Sequence, residues 1–480
     1  MGTINSAFTL ISSALDADQA GLNVISNNVA NASTTGYTRE SPTWSENSSI
    51  SINGQQYGQG VTMSGATSQR DLILQERLNQ QQQQASASSS RLTGLNSVQA
   101  LFKVDSGSSS STAGDIGSDL TSFFSTFTSL ESNPTDNSLR QDVLSKAGTL
   151  ASDVSGTAAS LNSQRSGLDS EAAGVTSQVN ALTKAIASLN KQIMATSPNS
   201  DAGTLEDQRQ TDIASLSKLI GINQVTTSKN GLEITTTSGH VLVADSQSTD
   251  LVTGKVNGMT DFFLGTDPTT GDPLDVTSEL TSGGGSLGGY LTVRDQDIPN
   301  VMTQLDQLAY DVSTQVNSLN NSGQDLSGAT GTTTTPLYIF SEPTAVSGSA
   351  SAMSVTMTDP SQISAAAVGS STGDNSNAIA MASLSTATIV NGQTPSDYYA
   401  NMVSQVGTLV SEVSTESTAQ TASVTQLTTE NSSLSSVNLN DEASALTTLE
   451  RSYQAASQVF SIVNRIMASA INLGVQTSVS

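Results

Sequence analysis

Apolar residues recur at three- and four-residue intervals at both ends of the chain, and the long middle between them is dominated by Ser, Thr, Gly, Asn and Gln. At the start the stripe runs through Ile4, Phe8, Ile11, Leu15, Leu22, Ile25 and Val29, with Asp18 in the one slot that breaks it. At the end, Leu446, Leu449, Tyr453, Ala456, Phe460, Val463, Met467 and Ala470 repeat the pattern. Residues three and four apart share one face of a helix, so each terminus predicts a helix with a narrow seam suited to a second helix. Two readings follow: the terminal helices close one domain by packing on each other, or they are seams for neighbouring subunits. The polar flanks, 31–43 with Gly36 and Pro42 and 428–440, favour detachable seams and hence a subunit that polymerises.

Further stripes predict long helices between the ends. Leu74, Leu78, Leu92, Leu95 and Phe102 fit one long exposed helix through the Gln80–Gln84 run, since Gln has good helix propensity. Ile116 to Leu130 form another, ended by Asn133-Pro134, and apolar positions from Leu139 to Ile193 extend a third as far as Pro198. That third helix would span about 80 Å at 1.5 Å per residue, which implies a rod-shaped bundle. Stripes over Ile298–Leu319 and around Tyr399–Val413 supply returning helices.

Elsewhere the period is that of a strand. Ile50–Ile52 and Val61–Met63, around Asn53-Gly54 and Gly58, predict a short hairpin or loop. Ile222–Thr226, Leu232–Thr236 and Val241–Ala244 are β-rich runs separated by Asn230-Gly231 and Ser238-Gly239, and Leu337–Phe340 and Ala352–Met357 are β-rich again. The fold class is therefore mainly α: an elongated bundle of long antiparallel helices, with an inserted β-rich outer domain and coiled-coil helices at both termini. The corresponding division is 1–40 and 430–480 for a terminal coiled-coil assembly domain, 41–221, 286–330 and 396–429 for the helical rod, and 222–285 and 331–395 for β-rich outer parts.

Composition narrows the chemistry. Of 480 residues only 35% are hydrophobic and 4% aromatic, so long polar segments must be loops, exposed strands or unpacked ends. A formal charge of −25 repels nucleic acid and anionic lipid, and is read first as plain solubility. With no Cys and His240 as its one histidine, the chain lacks the means for thiol catalysis, a Cys/His zinc site or the HExxH motif. His240 follows the turn signal Ser238-Gly239 and is read as a surface residue rather than the base of a Ser-His-Asp triad. Gly283–Gly289 lacks the Lys-Ser/Thr of a phosphate loop and is read as a flexible return connection. Asp261, Asp267, Asp272 and Asp275 do not have EF-hand spacing, and Asp441-Glu442 are read as helix N-terminal charge. No cofactor and no metal site is expected. No apolar run approaches a membrane span, and the start, Met1-Gly2-Thr3-Ile4, offers no signal core.

The segment Ser26–Arg39, carrying Asn27, Asn28, Asn31, Gly36, Tyr37 and Arg39, resembles the N-terminal signature of bacterial flagellar axial proteins. The run Val437–Ala455, with Ile471–Gly474 beyond it, resembles the matching C-terminal end. Leu205-Glu206-Asp207-Gln208-Arg209 with Leu219–Ile222, and Gly285–Leu291 with Arg294-Asp295-Gln296, are similar to the hook-associated protein 1 branch of that family. The resemblance implies a non-enzymatic ring subunit at the hook-filament junction, outside the cell, exported without a cleaved signal peptide. The partners it implies are further copies of the chain, the hook subunit, a second junction protein and a cytoplasmic export chaperone on the C-terminal helix, with no nucleic acid and no membrane. On physical grounds, uncovered seams predict ends that order only when neighbours meet, because fixing each residue costs about 1–2 kcal/mol of backbone entropy. Other readings are a different rod or hook subunit and a secreted coiled-coil effector or adhesin.

Overall fold

The structure is a computed structural model that describes residues 2–52, 54–102, 115–197, 200–266 and 271–476; the side chains of 2–5, 52 and 471–476 lie outside the description. Ile4, Asn53, Asp267 and the side chains of Ile471–Gly474 therefore fall outside what can be compared with expectation.

Helix α1 (Gly2–Asn31) opens the chain, followed by strands β1 (Glu40–Glu46), β2 (Ile50–Ile52), β3 (Gln55–Tyr57) and β4 (Val61–Ser68). The hairpin expected from Ile50 to Met63 is nested: β2 pairs with β3, and β4 pairs with β1, with a bulge after Thr43. Three long helices follow, α2 (Leu72–Gln99), α3 (Ile116–Ser132) and α4 (Asn137–Thr196). Asp71, Asp115 and Asp136 each cap one of them by accepting from backbone N–H groups of the first turn. At 60 residues α4 is about 90 Å long and forms the spine of the molecule.

A smaller α/β part comes next. It comprises α5 (Thr204–Leu219), β5 (Ile222–Thr226), β6 (Leu232–Thr236), β7 (Val241–Ala244), β8 (Gln247–Ser248), β9 (Leu251–Val256), β10 (Met259–Thr266) and β11 (Pro273–Asp275). All its strand pairs are antiparallel, in the orders β5-β6-β7-β8 and β11-β10-β9. The chain re-enters the rod through α6 (Thr277–Gly283), α7 (Gly285–Thr292), a π-helical turn (Val293–Asp297) and α8 (Ile298–Ser322). It then passes through α9 (Ser349–Ala352) and α10 (Ser376–Ser383), and ends with α11 (Pro395–Ser435) and α12 (Leu439–Gln476).

Two cores lie along α4. The first half of that helix, from Val143 to Leu168, buries its stripe against α3, α8, α10 and the start of α11. The second half, from Ala172, covers α5, the two sheets and α7. Between the cores Asp169 accepts from Lys255 Nζ at 2.5 Å, Arg294 Nη1 at 2.7 Å and Thr260 N at 2.7 Å. These donors outweigh burial and hold the carboxyl at about 2, so the joint is charged throughout the neutral range.

Two expectations are corrected here. Gly283–Gly289 is not a flexible connection. A Cβ on Gly289 would sit 2.3 Å from the Ala87 carbonyl, and one on Gly221 would sit 1.8 Å from the Gly283 carbonyl. The glycines are there because backbones touch: α7 lies directly on α2. Residues 331–395 are likewise not β-rich; they form irregular chain with α9, α10 and only isolated bridges, Phe340 with Val355, Val390 with Gln393 and Ala366 with Gln324. Carboxamides on the neighbouring helix take the place of a partner strand. Asn317 donates to Phe340 O at 2.9 Å and accepts from Phe340 N at 3.0 Å, while Asn320 donates to Leu337 O and accepts from Ser364 N, both at 2.8 Å.

A carboxyl pair joins α3 to α4. Burial, then the hydrogen bond and charge of Asp153, push Asp119 up to about 7, with Asp115 adding repulsion and Lys146 opposing it. A carboxyl raised above its unfolded value is protonated more readily in the fold. Its stabilising proton is fully bound below pH 4 and lost as pH rises through 7. Asp119→Asn should therefore stabilise the protein at pH 8 by on the order of 1 kcal/mol and leave it unchanged at pH 4, as read from urea unfolding at the two pH values.

Candidate functional site

The two chain ends meet. Helices α1 and α12 pack along each other, with Phe8 and Phe460 rings 4.9 Å apart. The seams thus face one another inside one chain, the arrangement that the polar flanks argued against. Those flanks are also less free than their composition suggests, since α11 continues helically to Ser435 and leaves only Ser436–Asn438 before α12. Along α1 the seam buries Ile11 and Ile25, half-buries Phe8, Leu15 and Leu22, and leaves Val29 exposed. Along α12 it is shallower: Leu446, Leu449, Ala456, Phe460, Val463 and Met467 are half-buried, and Tyr453 and Ala470 are exposed. Asp18 sits in the seam with Oδ2 buried and without a hydrogen-bond partner among the described residues.

Beside that seam α12 carries a second stripe that the sequence reading passed over. Ala455, Val459, Ile462 and Ile466 each precede a seam position by one residue. Val459, Ile462 and Ile466 are 46%, 47% and 51% exposed, a contiguous apolar row that nothing among the described residues covers. The signal was available: the row has the same four-three-four spacing as the seam.

At the base of the helix pair the motif residues form one hydrogen-bonded knot. Asn28, 1% exposed, donates to Glu40 O at 2.8 Å and to Glu442 Oε2 at 2.9 Å, and accepts from Tyr37 OH at 2.8 Å and Glu40 N at 3.0 Å. Its carboxamide is saturated and reads the turn that follows α1. Arg39 Nε reaches Glu442 Oε1 at 2.6 Å, and Arg39 N donates to Ser435 O at 2.8 Å. Glu442, 1% exposed, is therefore no surface charge at a helix start but the buried acceptor that ties the C-terminal helix to the N-terminal motif. It lies four residues before Leu446, on the seam's own spacing, and that was the clue to it. Burial, then the charges of Glu40, Asp207 and Glu442, push the Tyr37 hydroxyl up to about 12, so it remains a donor to Asn28.

The knot is anchored to the rod through α5. Asp207 Oδ2 accepts from Thr38 N at 2.9 Å, and Arg70 at the end of the β ribbon bonds Asp207 Oδ1 at 2.7 Å and also Glu206. Gly36 has φ +84°, and a Cβ there would come 2.7 Å from Thr211 Oγ1, so both backbone angle and space call for glycine. Asn27 and Asn31 bond each other at 2.8 Å and close the end of α1, with Thr34 donating to Asn31. The N-terminal motif, the Glu206-Asp207 segment and the start of α12 are thus one junction.

Comparison with known proteins bears on both the junction and the rod. Residues 101–334 match the family model described as the flagellar hook-associated protein FlgK helical domain, and residues 11–38 match that of flagella basal body rod proteins. Flagellar hook-associated protein 1 of Salmonella typhimurium is 26% identical over 559 aligned positions, covering 96% of this chain and 98% of the relative. The protein of the same name from Bacillus subtilis is 26% identical over 500 positions, covering 96% of each. Over nearly its whole length the chain is thus similar to the flagellar hook-associated proteins. The fold agrees: the structure of the flagellar hook junction protein FlgK from Burkholderia pseudomallei superposes with a TM-score of 0.63 at 19% identity, over 74% of this chain and 99% of that one.

These matches give the rod and the motif a common frame. The helical-domain match runs from the end of α2 through α8, which takes in α4 and the α/β part on its second half, and the rod-protein match ends at Thr38, inside the knot. Among the described residues no group of three or more His, Cys, Asp or Glu is arranged to hold a metal, and no helix is long and apolar enough to cross a membrane.

Proposed function

We propose that the chain is a structural, non-enzymatic subunit that joins hook to filament in the bacterial flagellum and polymerises through its terminal helices. The observation that carries this reading is the uncovered row Val459, Ile462 and Ile466 beside a seam that α1 only half covers. Burying one such side chain contributes about 1.5–3 kcal/mol, so a neighbour laid along this row gains several kcal/mol from three residues alone. The terminal pair, 1–40 with 430–480, is then the assembly domain, with Ile4 to Val29 and Leu446 to Met467 building the two-helix unit and the outer row its contact with the next subunit. The names of the relatives and of the Burkholderia junction protein support the place of this unit between hook and filament. The further partners are the hook subunit, a second junction protein, and an export chaperone that covers α12 before the chain leaves the cell by a route without a cleaved signal.

Ile462→Asp with Ile466→Asp tests it. Both side chains point away from α1, so the purified variant should keep the wild-type melting temperature within about a degree. It should nevertheless fail to appear in isolated flagella, and cells relying on it should carry hooks without filaments. Normal filaments on those cells would contradict the reading.

A further inference from the structure

Loop 34–38, α2, α5 and the end of α11 enclose a cleft of about 390 Å³ beside the knot. Three carboxamides line it with atoms that no group among the described residues bonds: Gln75 Oε1, Asn79 Nδ2 and Asn431 Oδ1. Gln75 is 8% and Asn79 3% exposed, and these particular atoms have lost water and gained no partner among the described residues. Leaving a buried donor or acceptor unmade costs about 1–3 kcal/mol each. Three on one cleft point to an occupant that supplies the bonds.

The chemistry of that occupant follows from the lining. Asp207, the charged side chain in the cleft wall, is already engaged by Thr38 N and Arg70. What remains is uncharged, carboxamides among Ser, Thr and Tyr hydroxyls, and a carboxamide offers both a donor and an acceptor, which matches a peptide group in either orientation of its end. The spacing matches as well. Gln75 and Asn79 are one helical turn apart on one face, about 6 Å along α2. An extended chain presents N–H and C=O to the same side every second residue, a repeat of about 6.6–6.8 Å.

We propose that this cleft binds an extended, uncharged main-chain segment of a second copy of this chain, the β2–β3 hairpin. Residues 47–60 contain no charged side chain in a protein of net charge −25, so this stretch approaches another copy without repulsion. The hairpin is two-stranded, so each strand has one unpaired edge, and Gln55, Gln56 and Tyr57 are exposed. It grows from the β1–β4 ribbon packed on α1, while the cleft is walled by the loop that follows α1 and the residues that precede α12. The base of the hairpin at Gly60 lies against Leu10 and Ser13 of α1, whereas the cleft starts past the other end of that helix, about 30 Å away, so the segment a chain offers and the cleft it presents are displaced along the helix pair and can meet only between copies. The proposal rests on that assembly reading.

The test places a photoreactive residue at Ser432, an exposed position on the cleft rim, in the full-length protein made by cells lacking the native copy. Thr211, also exposed and on the α5 side of the cleft, carries the same probe independently. Irradiated flagella should yield a cross-linked dimer whose linked peptide maps to residues 47–60. Gln75→Leu with Asn79→Leu should lower its yield roughly tenfold while the protein is still incorporated. Incorporated protein that gives no inter-chain product, or links only to a different flagellar subunit, overturns the hairpin as occupant. If the unsubstituted protein is itself absent from isolated flagella, the assembly reading fails instead.

Discussion

Replacing Glu442 by Ala releases the C-terminal helix from the N-terminal motif while the rod stays folded. The substitution leaves Arg39 and the amide of Asn28 facing an empty buried position, and removing one partner of a buried ion pair costs about 3–5 kcal/mol. The Arg39 side chain is 33% exposed and can turn toward water, so the loss should fall near the lower figure. Trp44, the one tryptophan of the chain, lies against Gly21 of α1 close to Leu449 of α12, so its fluorescence reports on this junction directly. In Glu442→Ala the Trp44 emission should shift to the red and α12 should become protease-sensitive at temperatures where the far-ultraviolet signal of the rod is unchanged. Glu442→Gln, which keeps an acceptor for one donor, should lie between. Wild-type protease resistance in Glu442→Ala would mean that the seam holds the ends together without the knot.

Gly289→Ala should destabilise the rod strongly. The added Cβ meets the Ala87 carbonyl at 2.3 Å and the Arg91 amide at 2.9 Å, both backbone, so neither can swing aside. Helix α7 must move off α2, and the bidentate pair between Arg91 and Asp297 moves with it. Overpacking of this kind costs about 3 kcal/mol or more when backbone must shift. Gly148→Ala on α4 is the control: nothing lies within 4 Å of its Cβ, and exchange of glycine for alanine in a helix should stabilise by about 0.5–1 kcal/mol. Thermal unfolding of the two variants should shift in opposite directions. Equal shifts would refute close contact between α7 and α2.

The long helices were legible because each carries an apolar stripe at helical spacing, whereas the shorter α5, α6, α7, α9 and α10 carry too few apolar positions to show a period. The Leu139–Ile193 pattern became the 60-residue α4, and the Gln-rich stretch became the middle of α2. The strands Ile222–Thr226, Leu232–Thr236 and Val241–Ala244 were legible because Asn-Gly and Ser-Gly turns punctuate them. What could not be read locally depends on partners distant in the chain. Leu337–Phe340 has strand composition, yet Leu337 O and both main-chain groups of Phe340 bond the carboxamides of Asn320 and Asn317 on α8, so its contact with 354–356 stops at one bridge and no ladder forms. The glycine run was misread because composition records the absence of a side chain and not the backbone that fills the space. At the junction, the motif residues were identifiable, but the role of Glu442 was not. A carboxylate in a first helical turn is ordinarily a solvated charge, and only the return of Asn28 and Arg39 from the other end of the chain makes it a buried acceptor. The pairing of the two seams within one chain, and the outer row on α12 that it leaves free, are likewise properties of two helices together.

Deleting the gene in the source bacterium and following flagellin by electron microscopy and by analysis of the culture medium tests the central claim most directly. A hook-filament joint made by this chain predicts hooks without filaments and flagellin monomer in the medium, because export continues while attachment fails. Filaments of normal length and number on the deleted cells would contradict it.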